Sequence, residues 1–339
     1  MRYDALLYKE LEDKQVQCLL CAHKCKIREG ERGICQVREN RDGQLFTFVY
    51  GNLIAKNIDP IEKKPLYHFY PGSRSYSIAT PGCNFRCDWC QNWQISQMPK
   101  IMGLPHGQRM MPEEVVEQAL ASGCLSISYT YTEPTIFFEY SFDTAKIAKT
   151  HELKNIYVTN GFMTAEMLDM FHTFLDAANV DIKAFRDATY RKYIGGRLEP
   201  VLESCRKIKS LGIWLEITTL IVPGINDDIM ELENIAKFIC QDLGPETPWH
   251  ISRFYPQYKL TNTTATDEKI LNQTKDMAER IGLKYVYIGN VYGNENTKCK
   301  TCGQELIIRS PFFARIIGLD KEGKCKQCGS PMDGRGLGK

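Results

Sequence analysis

The chain has no apolar run approaching 18 residues, so nothing in it reads as a helix crossing a membrane. The opening MRYDALLYKELEDKQ lacks an apolar core of the secretory type, and the expected location is the cytoplasm. Charge of one sign is also missing: the formal net charge is +2, which gives no general reason to bind nucleic acid or a membrane surface. Internal repeats and low-complexity segments are absent. Within residues 91–111 there is no cysteine, a gap that matters below.

Elsewhere cysteine is abundant, with 14 in 339 residues. Three stand alone (Cys124, Cys205, Cys240) at apolar or helical positions and read as inert buried thiols. The rest fall into three tight groups: Cys18, Cys21, Cys25 and Cys35; Cys83, Cys87 and Cys90; Cys299, Cys302, Cys325 and Cys328. Short spacings in a chain without an export signal read as metal ligands and not as disulfides.

The organisation follows. Residues 1–72 are a polar, cysteine-rich N-terminal extension. Residues 73–292 alternate strand and helix patterns. Residues 293–339 form a tail that ends in DGRGLGK, expected to fray. Apolar, β-branched runs at 75–80, 125–132, 155–160, 179–184, 214–222 and 248–254 alternate with helical stretches, and a last helix over 267–282 leads to LKYVYIGN at 283–290. Val115, Val116, Ala119 and Leu120 mark the inward face of the first helix. Six βα units imply an α/β fold with a parallel sheet, and six fall short of the eight of a closed barrel. An open, partial (β/α)6 TIM-type barrel is therefore expected, preceded by a cysteine-rich metal module and followed by a zinc ribbon. The aromatics Tyr129, Tyr131, Phe137, Phe138 and Tyr140 read as packing.

The central group, ATPGCNFRCDWCQNW, spaces its cysteines C-x3-C-x2-C. About 0.02 such triplets are expected by chance. Three thiolates cannot close a zinc site. A [4Fe–4S] cluster has four irons, so three cysteines hold it and leave one iron open. Gly82 eases the turn before them.

This motif, with Trp89 before its last cysteine, resembles the cluster motif of the radical S-adenosylmethionine (radical SAM) superfamily. The resemblance implies that S-adenosylmethionine is the missing ligand of the open iron. It also implies that one electron cleaves the sulfonium to give a 5′-deoxyadenosyl radical, an oxidoreductase-type chemistry served by an electron donor protein. The family's fold is a partial (β/α)6 barrel. Where the family carries a GGEP-type motif, this chain has Thr132-Glu133-Pro134-Thr135: it keeps Glu-Pro and lacks both glycines. Glu133 is then the acceptor for the S-adenosylmethionine ammonium, with Asn160 after the third strand. Asp181 and Lys183 resemble the D-x-K of glycyl radical enzyme activases, although these two could simply pair with each other; VPGIND at 222–227 is similar to a further activase segment. His250 and Arg253 are candidates on the sixth strand.

Over roughly 15–330 the chain is similar to AmmeMemoRadiSam-system radical SAM proteins, on CLLCAHKCKIREGERGICQVREN, DPIEKKPLYHFYPGS and the triplet segment. That resemblance implies AMMECR-type and Memo-type partners. The last cysteine group, two C-x2-C pairs each followed by glycine, reads as a structural zinc site. Apart from Phe312-Phe313 its segment lacks the aromatics of a nucleic-acid binder. Cys18, Cys21, Cys25 and Cys35 suit either zinc or an auxiliary iron–sulfur cluster. Two other functions fit less well. A glycyl radical enzyme activase often carries a cysteine-bearing insert after the triplet, and 91–111 has none. A non-catalytic iron–sulfur or zinc scaffold needs closed sites, and the triplet is open.

Overall fold

The computed structural model describes residues 2–103, 107–293, 295–310 and 313–338. An 8-stranded sheet organises them. Its strands are β1 (Ala55–Pro60), β2 (Arg74–Ala79), β3 (Ser126–Tyr129), β4 (Lys154–Thr159), β5 (Ala177–Asp181), β6 (Trp214–Ile221), β7 (Trp249–Arg253) and β8 (Val286–Gly289). Spatial order equals chain order. Strands β2 to β8 pair in parallel, while β1 runs antiparallel along β2. The two edges are not paired with each other, so this is the open, parallel-dominated α/β sheet the sequence predicts. It has a seventh parallel strand beyond the six counted, and an edge strand drawn from the segment assigned to the N-terminal extension.

Helices fill the crossovers: α1 (Pro112–Ala121), α2 (Phe138–Thr150), α3 (Ala165–Phe171), α4 (Glu199–Ser210), α5 (Ile229–Phe238) and α6 (Glu268–Ile281). Their stop signals are physical: Gly212 and Gly282 take positive φ just past α4 and α6. Val115, Val116 and Ala119 pack inward as expected, but Leu120 is 42% exposed because the buried arc of α1 is narrower than its apolar stripe. The aromatics of β3 and α2 join the same core as Tyr157 and Phe171; Tyr131 alone is half-exposed and donates to Asp59. The lone cysteines fit their assignment, with Cys124 and Cys205 buried and Cys240 half-buried.

Register places alternate residues on opposite faces. The face shared by Ser77, Ser128, Asn179, Thr218 and His250 is polar and small, while the other carries Ile78, Tyr129, Tyr157 and Val180 toward the helices. The segment after β1 plugs the polar face: Ile61, Leu66 and Phe69 pack on Ile156 and Ala177. Glu216 of β6 fixes the plug by accepting from the backbone N–H of Tyr67 at 3.0 Å and of His68 at 2.8 Å.

The N-terminal module folds as short antiparallel strands, and its apolar residues Val16, Leu20, Val37 and Leu45 belong to the same core as the barrel. The C-terminal segment makes a three-stranded antiparallel sheet with its own small core around Leu306, Ile307 and Leu319. Phe313 in it is exposed, and Phe312 lies outside the described residues. Through residue 338 the tail is docked where fraying was expected. Arg335 N–H donates to His68 O and Tyr70 N–H donates to Arg335 O, each at 2.8 Å, and Leu337 is buried. No helix among the described residues is long and apolar enough to cross a membrane.

Candidate active site and metal centres

The triplet cysteines leave the carboxyl end of β2 on a turn that only glycine fits. Gly82 has φ of +111°, and a Cβ there would meet Ile136 Cδ1 at 2.9 Å and Val37 Cγ1 at 3.0 Å. Cys87 is buried, with Cys83 and Cys90 half-buried. Burial raises the thiols of Cys83 and Cys87, the latter to about 12. The charge of Glu133 adds to the rise at Cys83. Such thiols stay protonated unless a cation compensates them, which is what a metal group does. The sulfurs already receive donors: Phe85 N–H points at Cys83 Sγ at 3.3 Å, and Ser96 Oγ lies 3.3 Å from Cys90 Sγ.

Glu133 and Asn160 are brought together beside this loop. Glu133 is fully buried, and its Oε1 accepts from Thr135 N–H (3.0 Å), Thr135 Oγ1 (2.6 Å) and Thr159 Oγ1 (2.7 Å). Its Oε2 accepts from Asn160 N–H at 2.8 Å. The carboxylate thus braces the ends of β3 and β4. Burial pushes its pKa up against those four donors. The side chain of Asn160 in turn donates to Asn84 Oδ1 at 2.7 Å and lies 3.9 Å from Cys83 Sγ.

At the end of β5, Lys183 Nζ meets Asp181 Oδ2 at 2.7 Å, the pairing that the sequence left open. Burial opposes the ammonium charge, but the neighbouring Asp181 carboxylate outweighs it and raises the lysine pKa. The lysine is therefore held charged close to the triplet. His250 stands apart from this group. Its Nε2 sits 2.7 Å from Glu216 Oε2, its ring is edge-on to Tyr67, and no hydrogen bond or ion pair joins it to Glu133, Asn160, Asp181 or Lys183. Arg253 is engaged by Glu268 at 2.7 Å.

The residues fit an iron–sulfur group and an amino-acid-bearing ligand on two grounds. The donors are three thiols with no fourth protein ligand in the motif. Around them the buried polar atoms Asn84 Nδ2 and Thr80 Oγ1 lack hydrogen-bond partners, which a ligand can supply.

Two polar clusters escaped the sequence reading. Lys64, 1% exposed, is clamped 2.6 Å from Asp59 Oδ2, and burial lowers its pKa to about 8. His68, Tyr287, Thr297 and Arg309 form a buried chain at 2.7, 2.7 and 2.6 Å that ties plug, sheet and C-terminal segment together. The DPIEKKPLYHFYPGS segment carries both residues of the first cluster and His68 of the second; its polar residues were the available signal.

The C-terminal quartet is compact enough to hold a metal ion. Cys299 Sγ lies 3.6 Å from Cys328 Sγ, Cys302 Sγ lies 3.7 Å from Cys325 Sγ, and all four sulfurs fall within 4.8 Å of one another.

The sequence profile described as "Radical SAM superfamily" matches residues 77–239. An uncharacterized protein of Methanocaldococcus jannaschii is 49% identical over 333 residues, spanning 97% of this chain and 98% of that protein. Another protein of that organism, provisionally named a glycyl-radical enzyme activating enzyme, is 25% identical over 228 residues, 63% of this chain and 79% of its own. A radical SAM methyltransferase from Sphaerobacter thermophilus shares the fold at TM-score 0.51 and 15% sequence identity, over 65% of this chain and 67% of that one.

Proposed function

Because this chain belongs to the radical SAM superfamily, we propose that it is a cytoplasmic enzyme in which Cys83, Cys87 and Cys90 hold a [4Fe–4S] cluster whose open iron takes S-adenosylmethionine. The observation that carries this reading is the three-thiol loop flanked by unpartnered buried polar atoms and by Asn160, braced in turn by Glu133. When bound, the cluster and S-adenosylmethionine supply a 5′-deoxyadenosyl radical for hydrogen abstraction, with the electron coming from a donor protein.

The chain's own residues bind and orient. Two of the donors to Glu133 are hydroxyls, which can rotate, so the carboxylate keeps acceptor capacity for an ammonium group. Asn160 fixes the loop at Asn84 and holds the approach to Cys83. Lys183, charged and half-buried, attracts a carboxylate, and Asp181 sets its position. His250 belongs to the Glu216 network and positions the plug beneath the site. The C-terminal quartet binds zinc, since tetrahedral Zn–S bonds of about 2.3 Å place sulfurs roughly 3.8 Å apart, close to the 3.6 and 3.7 Å found. AMMECR-type and Memo-type proteins are the partners the sequence resemblance supports.

The test is release of 5′-deoxyadenosine by the anaerobically reconstituted protein given S-adenosylmethionine and dithionite. Release above the level of a Cys83→Ala/Cys87→Ala/Cys90→Ala control is expected. No release from protein that retains its iron and sulfide would count against the enzyme.

A further inference from the structure

Cys18, Cys21, Cys25 and Cys35 line one enclosed cavity with Leu20, Ile27 and Ile136. Their spacing distinguishes two kinds of occupant. A single zinc draws four sulfurs to roughly 3.8 Å from one another. A cubane carries its ligands on four irons, at the corners of a tetrahedron on the order of 6 Å on edge. Among the described residues, the C-terminal quartet is the one group of three or more ligating residues whose ligand atoms all lie within 4.8 Å. The N-terminal four line a common cavity, yet no three of them bring their sulfurs that close together, nor do Cys83, Cys87 and Cys90. The close spacing of a single zinc is therefore a feature of the C-terminal quartet and not of the N-terminal four.

Its surroundings suit a redox group. Arg38, fully buried, donates from Nη1 to Cys18 Sγ at 3.1 Å and is ion-paired with Glu139. A charged donor to a ligating sulfur is one of the levers that set a cluster's potential. The site also abuts the triplet loop. Cys21 bridges Met163, and Ala22 N–H donates to Phe162 O at 3.2 Å, two residues beyond Asn160. His23 Nε2 donates to the carbonyl of Asn84, beside Cys83, at 2.9 Å. Lys100 Nζ donates to Phe85 O in the triplet loop at 2.8 Å and lines one cavity with His23 and Ile34 of the N-terminal module.

We propose that Cys18, Cys21, Cys25 and Cys35 bind a second iron–sulfur cluster, not zinc, through which single electrons reach the Cys83–Cys87–Cys90 site. A low-potential electron-transfer protein is oxidised by one electron at the N-terminal cluster, and the same electron passes inward; no bond is made or broken in this step. The relay rests on the radical SAM reading, whereas the identity of the metal does not.

The test uses the full-length Cys83→Ala/Cys87→Ala/Cys90→Ala variant, reconstituted anaerobically with iron and sulfide. We expect about four irons per chain, about one zinc at the C-terminal site, visible absorption that bleaches on reduction, and an electron paramagnetic resonance signal from the reduced form. No iron and about two zincs per chain would overturn the proposal. Should that variant not fold, the intact protein decides: about eight irons per chain supports it, and about four with a second zinc overturns it. For the relay, a Cys18→Ala/Cys21→Ala/Cys25→Ala variant should lose at least tenfold in 5′-deoxyadenosine release driven by reduced flavodoxin while keeping the dithionite-driven reaction. Undiminished flavodoxin-driven release would overturn the relay. Failure of the intact protein with dithionite would instead count against the radical reaction itself.

Discussion

Asn160 donates its side-chain amide to Asn84 Oδ1 at 2.7 Å, tying the end of β4 to the residue that follows the first cysteine of the triplet. The same residue is held by its backbone N–H on the buried carboxylate of Glu133. A strand end, a carboxylate and a cysteine loop therefore move as one unit, which is how a scaffold fixes a site within a fraction of an ångström.

Glu133→Ala breaks that unit. It leaves the backbone N–H groups of Thr135 and Asn160 buried without acceptors, at about 1–3 kcal/mol each. The expected outcome is loss of 5′-deoxyadenosine release together with a melting temperature lower by several degrees, read by product chromatography and calorimetry. Unchanged release would remove Glu133 from the site.

Much of this arrangement was legible in the sequence, and the parts that were not share a cause. The parallel strands announce themselves through buried β-branched runs such as WLEITTLIV, because both faces of β6 are covered. Strand β1, AKNIDP, is largely polar and ends in proline; it pairs on one side only, so nothing in its composition marks it. The docked tail depends on His68 and Tyr70, more than 250 residues away in the chain. Glu216 was visible as a carboxylate inside an apolar strand, but its partners, the backbone of Tyr67 and His68 and the ring of His250, come together only in the fold. Cysteine spacing marked three groups of candidate metal ligands, of which the C-terminal four converge within 4.8 Å of one another. It could not show that the N-terminal four lack the close spacing of the C-terminal quartet.

Asp59 and Lys64 form a buried ion pair, 4% and 1% exposed. Removing one partner strands a charge, at about 3–5 kcal/mol. Asp59→Ala should therefore lower urea stability by about 3 kcal/mol, and the double change Asp59→Ala/Lys64→Met should restore most of it. Additive losses in the double variant would show that the pair is not a unit.

His68 is held neutral. Burial pushes its pKa down to about 4, Asp333 O lies 2.7 Å from Nδ1, and Tyr287 Oη lies 2.7 Å from Nε2. Glu216, Arg309 and His250 are its charged or titratable neighbours. Unfolded histidine titrates near 6.5, so between pH 6.5 and 4 the unfolded chain binds the extra proton and stability falls as pH falls. Melting at pH 7 and pH 5 should differ by several degrees, and His68→Gln should flatten that difference.

Withdrawal of zinc from Cys299, Cys302, Cys325 and Cys328 should loosen the C-terminal segment and, through Arg309 on the carbonyl of Tyr67 at 2.7 Å, the plug. Metal analysis should find zinc lost from a Cys302→Ser variant while iron is retained. Hydrogen exchange should rise in residues 61–70 as well as in the segment itself. Iron lost in step with zinc would refute this division of labour.

The central claim is that the missing fourth ligand of the triplet site is S-adenosylmethionine. Its most direct measurement is electron–nuclear double resonance on the reduced protein with S-adenosylmethionine labelled with nitrogen-15 at the amino group. The account predicts a nitrogen-15 hyperfine coupling to the cluster that disappears in the Cys83→Ala/Cys87→Ala/Cys90→Ala variant. A reduced cluster whose spectrum ignores the labelled molecule would contradict it.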